Sequence, residues 1–110
     1  MAAKKTSPTF VWVFHMEWED RHGEQGSNVK VFETRAKAIE YLISDVKNYF
    51  DTYDGCIMEF VNGTGIDSDT MDIDVFSKAV KSEKGDVWLE VNVDGSGTNA
   101  SWVVSTHKVL

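Results

Sequence analysis

Cysteine occurs once in this chain, at Cys56, and proline once, at Pro8. A lone thiol closes no internal disulfide and cannot assemble a thiolate zinc cluster, so the fold must be held by its apolar core and a reducing compartment is expected. With no proline beyond Pro8, no proline-rich linker divides the sequence, and it contains neither an internal repeat nor a low-complexity tract. One domain is therefore expected over residues 9–110, preceded by a flexible polar arm over residues 1–8. Long apolar runs are missing as well. Nothing approaches the roughly 20 residues of a membrane helix, and MAAKKTSPTF lacks the apolar stretch of roughly 7–15 residues that a secretory signal needs. The expectation is a cytoplasmic protein with no membrane partner.

The motifs of common chemistries are also lacking. No Gly-Lys-Ser or Gly-Lys-Thr occurs, which removes a Walker loop. Gly95-Ser96-Gly97-Thr98-Asn99-Ala100 has the letters of a dinucleotide fingerprint, but that fingerprint must open a helix whose N-terminus holds a pyrophosphate. The following SWVVSTHKV reads as a strand, so a hairpin turn is expected here. Counted from Asp67 as a calcium loop, the sixth position is Asp72 where glycine is required, and the twelfth is Lys78 where a bidentate Glu belongs. The three histidines, His15, His22 and His107, have no metal-ligand spacing, although His15 and Glu17 would project from the same side of a strand. As nucleophiles, Cys56 and Ser105 lack any elbow or partner motif. No metal, no cofactor and no catalytic residue is expected. Asn62-Gly63-Thr64 and Asn99-Ala100-Ser101 satisfy the glycosylation pattern, but both are expected in turns, where these residues occur for backbone reasons.

What the chain does hold is apolar and aromatic material: 42% of its 110 residues are hydrophobic and 12% aromatic, enough to fold without a cofactor. Phe10, Trp12, Phe14, Met16 and Trp18 alternate along a first strand with one apolar face. A polar stretch, EDRHGEQGSN, then leads into VKVFE, and a hairpin with a long loop is the simplest connection. Thr34 is placed to cap a helix of about four turns, in which Ala36, Ile39, Ile43, Val46 and Phe50 recur on one face. Asp45, Glu40, Lys37 and Lys47 fall away from that stripe, and Asp54-Gly55 is the expected stop. Cys56–Val61 reads as a short strand and Asn62-Gly63-Thr64-Gly65 as a turn. Ile73, Phe76, Ala79 and Val80 fit a short second helix, less clearly marked. Val87, Leu89, Val91 and Val93, then Trp102 and Val104, mark a final hairpin. The predicted fold is α+β: a mostly antiparallel sheet of about five strands with one main amphipathic helix packed on one face. Trp12, Phe14, Ile39, Ile43, Val46, Leu89 and Trp102 are the expected common core.

Charge is distributed unevenly. Of 18 acids and 11 bases, seven acids and no base fall between Asn48 and Ser77, leaving eleven of each in the rest of the chain, so this segment accounts for the whole net charge of −7. Such a segment repels phosphate, which argues against direct nucleic-acid binding. Aspartates also cap helices and populate turns, which accounts for Asp54, Asp72 and Asp67 without a function. The functional alternative makes Asp51, Asp54, Asp67, Asp69, Asp72 and Asp74 the partner-binding residues, attracting a protein with a basic surface. The expectation is then a small acidic, non-enzymatic protein-binding domain. Its sharper form is an inhibitor acting by nucleic-acid mimicry, of the kind small viral anti-defence proteins use. A small-ligand-binding module or an enzyme of unknown chemistry is the rival class.

Overall fold

In the computed structural model the described residues are 9–52, 58–62, 73–93 and 98–109. In chain order they form β1 (Thr9–Glu19), β2 (Gln25–Phe32), α1 (Arg35–Thr52), β3 (Met58–Asn62), α2 (Ile73–Ser82), β4 (Val87–Val93) and β5 (Thr98–Val109). The strands form one antiparallel sheet in the order β2-β1-β5-β4-β3, so the first and last strands of the chain pair at its centre. The α+β class and the antiparallel pairing agree with the sequence. The second helix does too, but it is a full element and not an accessory: Phe76, Ser77 and Val80 of α2 are buried, and α2 packs against α1.

The β1–β2 hairpin differs from its expectation. Gln25 to Asn28, read as loop, already pair with Glu19 to Met16, and the connection shrinks to Asp20–Glu24. The Asp20 carboxylate organises that turn by accepting from the amides of His22 at 2.8 Å and Glu24 at 3.0 Å, while Gly23 takes the positive φ of 81° that closes it. Gly26 extends the strand for a second reason. A side chain there would overlap the Trp18 indole, which lies across this position from the paired strand.

Thr34 caps α1 as expected, its Oγ1 accepting from the Lys37 amide at 3.2 Å. The buried face of the helix, however, is Ala38, Ile39, Leu42, Ile43 and Val46, while Ala36 is exposed. That face runs on through Tyr41, Asp45 and Tyr49, each half-buried. Asp45, which the pattern set apart from the apolar stripe, lies at its sheet-facing edge. Its carboxylate accepts from Trp102 Nε1 at 2.8 Å.

The core joins this helix face to alternate residues of the central strands. Phe14 of β1, Val87, Leu89 and Val91 of β4, and Ala100, Trp102 and Val104 of β5 are buried with Phe76 and Val80 of α2. Six of the seven expected core residues are in it. The seventh, Trp12, is only partly buried, its ring facing the Arg35 guanidinium at 6.0 Å. Arg35 also donates Nε to the Gly85 carbonyl at 2.9 Å, tying the start of α1 to the turn before β4. Burial lowers the Arg35 pKa from its usual value, against the opposing charge of Glu83. Tyr41 packs edge-on against Phe14 at 4.8 Å and accepts from Asn28 Nδ2 at 3.0 Å, fixing α1 over β2. No helix among the described residues is long and apolar enough to cross a membrane.

Candidate docking face

Alternation along each strand assigns one set of residues to the core and the other to the opposite side of the sheet. The core set fixes which is which. The opposite face then carries Thr9, Val11, Val13, His15, Glu17 and Glu19 from β1, and Gln25, Ser27, Val29 and Val31 from β2. From β5 it carries Asn99, Ser101, Val103, Ser105, His107 and Val109, and from β4 Trp88, Glu90 and Asn92. Its side chains are exposed or half-buried, and no described element packs over them.

The register sorts this face into two regions. Val29 pairs with His15, His15 with Val103 and Val103 with Trp88, giving one row across four strands. Beside it lie Val31, Val13 and Ser105 in register, with Val11 beyond, so the two rows form a mainly apolar band in which His15 and Ser105 are the polar members. Val29, Val31, Val103 and Trp88 are exposed large apolar side chains, at 56%, 62%, 38% and 46%. On the other side of the His15 row the face turns polar. Ser27, Glu17, Ser101 and Glu90 form the next row, and Gln25, Glu19, Asn99 and Asn92 the one after. Over these rows opens a hollow of about 480 Å³ lined by Glu17, Glu19, Gln25, Ser27, Asn99 and Ser101, with Trp18 at its edge.

Electrostatically the face has one sign. Glu17, Glu19 and Glu90 lie on it, and it holds no Lys or Arg: Lys30 and Lys108, the only two in the described strands, occupy positions of the other parity. His15 Nε2 lies 3.2 Å from Glu17 Oε1, as their i, i+2 spacing predicted, and Gln25 Nε2 donates to Glu19 Oε2 at 3.3 Å.

Of the residues predicted to bind a partner, the two that are described fall elsewhere. Asp51 is exposed in the last turn of α1 and Asp74 is exposed in the first turn of α2, both on elements of the covered side. Asp54, Asp67, Asp69 and Asp72 lie outside the described residues, as do Cys56 and the Asp54-Gly55 stop. The turn expected at Asn99-Ala100-Ser101 is corrected: these residues are strand β5, whose pairing with β4 begins at Thr98. A strand at that point is also incompatible with a dinucleotide helix.

Sequence reasoning passed over one further pair, Ser105 Oγ and His107 Nε2, 2.9 Å apart and both accessible. Their i, i+2 spacing on one strand was the available signal. Among the described residues no carboxylate bonds His107, so the pair lacks the orienting acid of a nucleophilic triad. No cluster of metal-ligating side chains occurs among the described residues either. In comparisons with known proteins, no protein family, curated protein or solved structure matches the chain.

Proposed function

We infer that this chain is a non-enzymatic protein-binding domain that uses the open face of its sheet to occupy a basic surface on another protein. The observation that carries the reading is the composition of that face: an apolar band beside Glu17, Glu19 and Glu90, with no Lys or Arg. A sheet face that no described element covers, carrying such a band, is a recognisable interaction surface, because folded chains seldom leave contiguous apolar area in water. The acidic segment between Asn48 and Ser77 adds long-range attraction of the same sign. Nucleic-acid mimicry is the sharper form of the reading, in which carboxylates stand where phosphates would lie on a nucleic-acid-binding partner.

The test is capture of proteins from an extract of the source cells on the immobilised full chain, at low and high salt, with nucleic acid as competitor. Retention of a defined protein at low salt, its release at high salt and its displacement by nucleic acid are expected. If no protein is retained and a small molecule raises the melting temperature instead, the reading fails in favour of a ligand-binding module.

A further inference from the structure

The open face has a layout as well as a sign, and the layout narrows what can cover it. Its apolar band crosses β2, β1, β5 and β4, a span of about 14 Å for four strands at about 4.8 Å spacing. The carboxylates of Glu17, Glu19 and Glu90 are displaced to the same side of the band, while Asp86, before β4, is held by the Thr106 amide and hydroxyl. Glu17 and Glu90 lie one row away, about 7 Å for two residues along a strand, and Glu19 lies one row further. At that side the surface deepens into the hollow lined by Glu17 and Glu19.

We propose that this face receives a cationic amphipathic helix of a protein partner, with its apolar stripe over Val13, Val29, Val31, Val103 and Trp88 and a Lys or Arg seated in the hollow between Glu17 and Glu19. The proposal rests on the protein-binding reading above and names the docking element. A helix stripe at i, i+3, i+4 and i+7 is about 11 Å long, which fits the band, and its neighbouring positions carry basic side chains to one flank. A guanidinium or ammonium entering the hollow meets two carboxylates and the side-chain amide of Gln25; Glu17 has His15 as its neighbour, and no Lys or Arg among the described residues pairs with either carboxylate. Trp88 supplies the aromatic anchor that concentrates binding energy in such interfaces. A second copy docking through the same face is the poorer occupant, because that face brings its own carboxylates and no Lys or Arg to the interface.

The probe is a fluorescently labelled helical peptide of leucine and lysine, about 14 residues long, with leucines at the stripe positions, titrated with the full chain at low salt. Saturable one-to-one binding is expected. Trp88→Ser, Val31→Ser and the triple variant Glu17→Gln/Glu19→Gln/Glu90→Gln should each weaken it at least about tenfold. A charge-matched triple variant on or beside the helices, Glu40→Gln/Asp51→Asn/Glu83→Gln, should change it by no more than about twofold. All these positions are exposed, and melting curves establish that the variants fold. Equal weakening by the two triple variants would reduce the effect to undirected charge attraction and overturn the proposal. So would peptide affinity indifferent to Trp88→Ser and Val31→Ser, or a dimer in sedimentation that both substitutions dissociate. The capture experiment separates the two levels. A protein retained equally by the wild-type and Trp88→Ser chains overturns the docking element while the protein-binding reading stands. Peptide docking as described with no protein retained supports the surface and removes the reading.

Discussion

Trp102 Nε1 donates to Asp45 Oδ2 at 2.8 Å, joining the middle of β5 to the middle of α1 across 57 residues of chain. The indole is fully buried, the carboxylate half-buried, and Tyr49 packs edge-on against the same ring at 5.2 Å. A buried indole N–H needs an acceptor, and no apolar residue at position 45 can provide one.

Replacing Asp45 by Ala should therefore destabilise the chain by about 1–3 kcal/mol in urea unfolding, the range for a buried donor left without a partner. In the Trp102→Phe background, where the donor is gone, the same replacement should cost less. A double-mutant cycle with no coupling would mean that the bond adds nothing to stability.

The core prediction concerns Ile43, which is 7% exposed and packs within the helix–sheet cluster. Ile43→Ala should cost about 2–5 kcal/mol. Val31→Ala, on the open face, should change stability by no more than about 0.5 kcal/mol. Comparable costs at the two sites in denaturant melts would refute the one-sided arrangement of the sheet.

Gly26 tests the approach of the Trp18 indole to the edge strand. Gly26→Ala places a methyl group in the space of the ring, so it should cost about 1–3 kcal/mol and alter tryptophan fluorescence. Removing the ring first, with Trp18→Ala, should abolish most of the penalty. An additive pair would show that Gly26 serves a backbone role instead.

The acidic segment and the open face should act on different rate constants. Replacing Asp67, Asp69, Asp72 and Asp74 by Asn should slow association with a captured partner and flatten its salt dependence, because long-range charge acts on encounter. Trp88→Ser should mainly speed dissociation. Stopped-flow or surface-binding kinetics at two salt concentrations resolve the two. Unchanged association in the fourfold variant at low salt would leave those aspartates as turn and capping residues only.

Local periodicity made much of this fold readable. The alternation in β4 and β5, the Thr34 cap and the long amphipathic helix all arise from interactions within a few residues, so a window on the sequence contains their cause. The extent of β2 was not readable, because Gln25 to Asn28 are polar and glycine-containing and take strand form only by pairing with β1. Asp45 was misplaced for a related reason. A charged residue on a helix is assigned to solvent unless its acceptor role is known, and its donor lies 57 positions away.

The sequence by itself determined the class of the fold, the elements with strong period, most of the core, and the concentration of negative charge in the middle of the chain. Only the tertiary arrangement fixed the strand order, which sets β1 and β5 side by side at the centre, and the placement of both α1 and α2 so that no described element covers the opposite face. The composition of that face follows from both. Val29, His15, Val103 and Trp88 come from four strands and are neighbours only through register. No local pattern encodes such a row, because backbone pairing between distant segments brings its members together.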